Sequence, residues 1–121
     1  MTQKEAASFC ESEQEVPARL IEVDSQEENQ AIHNEEECRF NLGYKIRYWM
    51  GIKFIRDPSG VGDWVRESNG KKLTFFNWER MRGKYACALI SRSDQGTFWK
   101  EKQCDHFGGG PYTFSALCEL D

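Results

Sequence analysis

At 121 residues the chain holds one domain, 1–121, with room for one core and none for a second. Its residues are 30% charged, yet it carries four Trp, eight Phe and four Tyr, which excludes a disordered chain, and no apolar run approaches the ~18 residues of a membrane span. The net charge of −4 conceals a balance of −8 in residues 1–40 and +4 in residues 41–78, and excludes the overall basic character of a nucleic-acid domain.

In chain order, Thr2-Gln3-Lys4-Glu5 is a capping box that predicts a helix to about Ser12, burying Ala6, Phe9 and Cys10. Val16-Pro17 ends it, and Arg19 to Val23 is a short strand or extended link. A second box, Ser25-Gln26-Glu27-Glu28, opens a helix to about Glu36 with Ile32 on its buried side. The acids at 35–37 oppose the dipole at its end and predict fraying there.

From Tyr48 onward short strands and turns follow. Trp49 to Ile52 and Asp63 to Val65 are strands, with turns at Asp57-Pro58-Ser59-Gly60 and Asn69-Gly70. Leu73 to Trp78, Tyr85 to Ile90 and Thr97 to Lys100 come next, with a turn at Ser93-Asp94-Gln95-Gly96. Gly108-Gly109-Gly110-Pro111 is a flexible hairpin loop, and Phe114 to Leu120 a final strand. Helices first and strands afterwards define an α+β domain.

Five cysteines stand at Cys10, Cys38, Cys87, Cys104 and Cys118, none in a Cys-x-x-Cys pair, so a zinc site has little support. Their wide spacing suits an oxidising compartment, where four would pair and one would remain. Spacing alone leaves the connectivity open. No secretory leader is evident, and Met1 directly before a helix start is expected of an excised domain. Catalysis is not expected: there is no Ser/His/Asp or Cys/His order and no phosphate-cradling loop, and Asp105-His106 reads as an exposed turn pair.

The ordered set Glu5-Ala6, Cys10, Ala18-Arg19-Leu20, Ser25, Glu28, Trp49-Met50-Gly51-Ile52, Asn77-Trp78, Cys87, Trp99, Cys104 and Cys118-Glu119-Leu120 resembles the C-type lectin-like domain, over nearly the whole chain. Gly62-Asp63-Trp64-Val65 and Gly70 to Trp78 are similar to the same stretch of mannose-binding lectins. The resemblance implies a C-type lectin-like fold, two helices packed on short antiparallel sheets with a shortened long-loop region. It implies disulfides Cys10–Cys118 and Cys87–Cys104, an extracellular setting, and a core role for Trp49, Trp64, Trp78 and Trp99. Cys38 has no partner in the family pattern. It reads as a buried free thiol, or as a bond to another chain or to a cysteine upstream.

Two departures carry the functional expectation. Sugar-binding relatives place a carboxylate-Pro-Asn or Gln-Pro-Asp triplet between the Trp and the next Cys. Here that interval is Glu79-Arg80-Met81-Arg82-Gly83-Lys84-Tyr85-Ala86. Relatives follow the later Trp with Asn-Asp, where this chain has Lys100-Glu101. Calcium needs about six to eight oxygens, and the matched positions supply mostly cations. The expectation is therefore a calcium-independent, non-catalytic recognition module with no metal and no cofactor. Its ligand surface is Arg80, Met81, Arg82, Lys84, Tyr85, Lys100 and Glu101, and its partner a protein ligand or receptor. The alternative is a divergent lectin that binds anionic (sulfated) or other glycans, with Lys102 joining the cations. No nucleic-acid partner and no membrane insertion are expected. Relatives also carry an earlier strand that pairs with the last one, and a Trp where Gln3 stands. Its lack predicts an open sheet edge near Phe114–Leu120, left by trimming, filled by a strand of the parent protein, or paired between two copies as a homodimer.

Overall fold

The computed structural model describes residues 1–12, 18–40, 45–93, 96–109 and 112–120. In chain order the elements are α1 (Gln3–Ser12), β1 (Ala18–Leu20), α2 (Gln26–Phe40), β2 (Lys45–Arg56), β3 (Gly62–Arg66), β4 (Trp78–Arg80), β5 (Cys87–Ser93), β6 (Gly96–Lys102), β7 (Gly108–Gly109), β8 (Tyr112–Ala116) and β9 (Cys118–Leu120).

Both capping boxes form. Thr2 Oγ1 accepts from Glu5 N–H at 3.2 Å while the Glu5 carboxylate accepts from Thr2 N–H at 3.0 Å, and these bonds pull the Glu5 carboxyl below its ordinary range. At α2, Ser25 Oγ accepts from Glu28 N–H, and the Glu28 carboxylate reaches back to Asp24 N–H, one residue before the expected partner. The helix runs on to Phe40, past the expected end at Glu36. All three acids of the run therefore lie inside the helix, and only Glu37 falls in its last turn, where the dipole penalty acts. The Cys38 side chain lies outside the described residues, as do the Val16-Pro17 break and the Asp94-Gln95 turn.

The expected burial of Phe9 is corrected, because it is 38% exposed. Gln3, Ala6 and Cys10 are buried and Ala7 packs against the same core, so the inward stripe is centred on 3, 6, 7 and 10. Phe9 falls roughly 100° off that stripe at ~100° per residue. Gln3 is held by its amide N–H on the Cys104 carbonyl (3.1 Å) and by its side chain on the Glu67 carboxylate.

The strands form a mixed sheet in the order β4-β6-β5-β2-β8-β7, with β3 hairpinned onto β2 and a separate β1–β9 pair. β2 is the hub: it meets β5 and β3 antiparallel and β8 parallel, with a register shift between Trp49 and Lys53. Alternation along β5 serves two cores. Ala88 and Ile90 join Met50, Ile52, Trp64 and Trp99 on one side, while Cys87 and Leu89 join Trp49, Phe114, Leu20 and the α1 stripe on the other. Disulfide Cys10–Cys118 ties α1 to β9, and Cys87–Cys104 ties the start of β5 to the segment after β6.

Three strand expectations are also corrected. Leu73 to Asn77 forms no ladder beyond an isolated Val65–Lys72 bridge. Leu73 and Phe75 instead turn their side chains onto the Trp64–Trp99 core, and Leu73 N–H reaches the Trp64 carbonyl at 3.0 Å. The final strand breaks at Leu117, whose carbonyl accepts from Ile21 N–H (2.9 Å), so that β8 joins the large sheet and β9 joins β1. Gly108 and Gly109 pair with Thr113 and Tyr112, so the glycine stretch is partly strand. β9 is thus covered by β1, and β8 has β2 on one side and β7 on the other at Tyr112 and Thr113.

Candidate functional site

The site grows from the edge of the large sheet. β4 runs parallel to β6, Trp78 opposite Trp99 and Arg80 opposite Lys100. Asn77 fastens the approach to β4. Its side-chain amide donates to the Thr97 carbonyl at 2.7 Å, and its own carbonyl accepts from Trp99 N–H at 2.9 Å. Beyond Arg80 the chain leaves the sheet, loops through Met81 to Ala86 and re-enters it at Cys87, where the disulfide to Cys104 anchors it.

Along β6 the side chains alternate. Thr97, Trp99 and Glu101 are buried, while Phe98, Lys100 and Lys102 are half-buried on the opposite face. Glu101, expected on the ligand surface, is 8% exposed and lies under the loop. One carboxylate oxygen accepts from Arg82 N–H at 3.0 Å, and the other from Lys84 N–H (3.0 Å) and Tyr85 N–H (3.4 Å). Gly83 between these donors has φ +68°, the left-handed conformation that lets amides on both sides of it converge on one anion.

Above this anchor lies a depression of ≈ 430 Å³ lined by Arg47, Glu79, Arg80, Arg82, Tyr85, Lys100, Glu101 and Lys102. Five cations therefore meet two carboxylates, and both carboxylates are engaged: Glu79 pairs with Lys100 at 3.4 Å and Glu101 holds the loop. Met81 is 39% exposed and, like Lys84, is not part of the lining; the Lys84 ammonium lies 5.6 Å from the centroid of the Tyr85 ring. Arg47 was not singled out from sequence. It stands on β2 opposite Ser91 of β5, with its Nε donating to Ser91 Oγ at 3.1 Å, and only the sheet register brings it here.

These residues do not fit calcium. A calcium ion takes about six to eight oxygens. Here both Glu101 oxygens are committed to loop amides, Glu79 is paired, and the neighbouring side chains are mostly cations. Among the described residues no group of three or more His, Cys, Asp or Glu could hold a metal ion. The Asp105-His106 pair reads structurally too: His106 Nδ1 accepts from Gly108 N–H at 3.2 Å and its ring packs against Phe114. A more open hollow of ≈ 590 Å³ runs along α1 past Gln3, Lys53 and Glu67, and mixes the acids Glu11, Glu67 and Asp105 with Lys4 and Lys53. Among the described residues no helix is long and apolar enough to cross a membrane.

Residues 1–108 match the family model of the Lectin C-type domain. The chain belongs to this family, as a divergent α+β member without an identifiable calcium or sugar site among the described residues. Solved structures agree on the fold. The C-type lectin domain of murine dendritic cell inhibitory receptor 2, in complex with N-glycan, aligns with a TM-score of 0.59 at 17% identity, over 87% of this chain and 75% of that one. The C-type lectin CEL-I from Cucumaria echinata aligns with a TM-score of 0.62 at 18% identity, over 86% and 76%. Its EPNH mutant gives 0.60 at 18% identity, over 86% and 75%. Among curated protein sequences none matches. Domains of this fold typically serve as non-catalytic recognition modules.

Proposed function

We propose that the domain is a calcium-independent extracellular recognition module that binds a protein partner through the face of Arg80, Met81, Arg82, Lys84, Tyr85 and Lys100. The observation that carries this reading is the excess of cations around the depression, with both nearby carboxylates already engaged. A partner surface presenting Asp or Glu finds Arg forks suited to bidentate contact, and Tyr85 with Met81 adds residue types enriched at interfaces. The two disulfides support an oxidising, extracellular setting.

The test is an array of extracellular protein domains probed with the wild type and with R80E/R82E, in chelator and in calcium. The reading expects a binder retained in chelator and lost on double charge reversal. A binder indifferent to both changes, or one that needs calcium, overturns it.

The cation spacing also favours a second reading, recognition of a sulfated glycan. Arg80, Arg82, Lys100 and Lys102 line one depression, and Arg binds sulfate bidentately. Retention on immobilised heparin that falls steeply with added salt supports it, and no retention at low salt removes it.

A further inference from the structure

We infer that the Glu101 carboxylate organises the recognition loop from within, doing structurally what a bound cation would do at this position. The geometry has three parts. First, Glu101 is buried, and its two oxygens accept the N–H groups of Arg82, Lys84 and Tyr85, so one side chain holds three of the six amides between β4 and β5. Second, Gly83 takes φ +68°, and the left-handed residue turns amides on either side of it into a concave, anion-binding arrangement. Third, the strand beneath is rigid: β6 is paired with β5 from Cys87–Lys102 to Ser93–Gly96, and Cys87–Cys104 closes the base of the loop.

In a metal site, loop oxygens would converge on a cation. Here the polarity is reversed, because loop amides converge on an anion supplied by the sheet. The carboxylate is compensated by aligned N–H dipoles, which are charge-assisted bonds stronger than neutral ones. Burial is tolerable only because those lone pairs are used. Two consequences follow. The loop that carries Arg82 and Lys84 keeps its shape without a divalent ion, and its order depends on a single side chain. The inference concerns loop order alone and holds whichever ligand class the face takes.

Backbone amide exchange, followed by NMR on the full chain, tests it with EDTA or calcium chloride as the only additive. In the wild type the Arg82, Lys84 and Tyr85 amides should exchange slowly, and equally in both buffers. Glu101→Gln preserves shape but leaves one accepting oxygen, so either the Arg82 amide or the Lys84/Tyr85 pair should speed up by about 10-fold or more while the other side stays protected. A role in packing alone predicts no change for this isosteric variant. Glu101→Ala should release all three, with the Leu89 and Ile90 amides of β5 reporting whether the sheet survives. Gly83→Ala provides a second route: it should speed the same amides without touching the carboxylate. Fast exchange in the wild type, protection that appears only with calcium, or an unaltered Glu101→Gln pattern would each overturn the inference.

Discussion

Asn29 of α2 and Asn77 before β4 donate their side-chain amides to the same acceptor, the Thr97 carbonyl, at 3.0 and 2.7 Å. One peptide oxygen at the start of β6 thus joins the second helix to the segment that leads into the Met81–Ala86 loop. Deleting either donor leaves the other in place, so Asn29→Ala or Asn77→Ala should each cost about 1 kcal/mol, and the double variant more than the sum, because the carbonyl then loses both donors. Urea unfolding of the four proteins measures the coupling; strict additivity would show that the two bonds act separately.

Gly51 and Gly83 are needed for different reasons. A Cβ on Gly51 would stand 2.8 Å from the Leu20 carbonyl oxygen, where β2 passes under β1, so Gly51→Ala should destabilise by about 1–3 kcal/mol through overpacking. At Gly83 a Cβ meets nothing within 4 Å, and the cost is conformational, about 1 kcal/mol for leaving φ +68° to a residue that disfavours it. Thermal melts should rank the two in that order, and loop amide exchange should respond only to the second.

Trp99 is fully buried and edge-packed against Trp78 at 5.5 Å and Phe75 at 5.7 Å. Trp99→Ala should cost about 3–5 kcal/mol. Wild-type melting of that variant would contradict the core described above.

The pH dependence has two arms of opposite sign. Burial raises the Glu119 carboxyl above its ordinary 4.5, against the Glu22 amide and Arg19, which lower it. A raised folded-state pKa means stability present below 4.5 and lost as pH climbs through the folded value. Relative to Glu119→Gln, the wild type should therefore gain stability as pH falls from 7 toward 4.5. Asp57 is the reverse. Hydrogen bonds from the Ser59 side chain and the Val61 amide lower it below 3.8, so its contribution exists above 3.8 and disappears as pH falls through the folded value. Melting curves of Glu119→Gln and Asp57→Asn across pH 3–7 resolve the two arms, and parallel profiles for wild type and variants would contradict both.

Local chemistry was legible in the sequence where it is local in space. The capping boxes at Thr2 and Ser25, the Asp57–Gly60 turn and the turn at Gly70 (φ +71°) all depend on residues within four positions of one another. Leu73 to Asn77 looked like a strand because its apolar residues recur, yet apolar recurrence reports burial and not the presence of a ladder partner. The break at Leu117 depends on Ile21, and Arg47 reaches the site only through the β2–β5 register; neither relation has a local signature. Glu101 did leave a signal. It shares strand parity with Trp99, so alternation already placed it on the buried face and pointed to a structural task.

Calcium titration into the metal-stripped domain, by calorimetry with a parallel melt, shows most directly whether the loop stands without a metal ion. Heats no larger than dilution and one melting temperature in EDTA and in millimolar calcium are expected. Saturable heat together with a melting temperature that climbs with calcium concentration, as ligand linkage requires, would contradict this expectation.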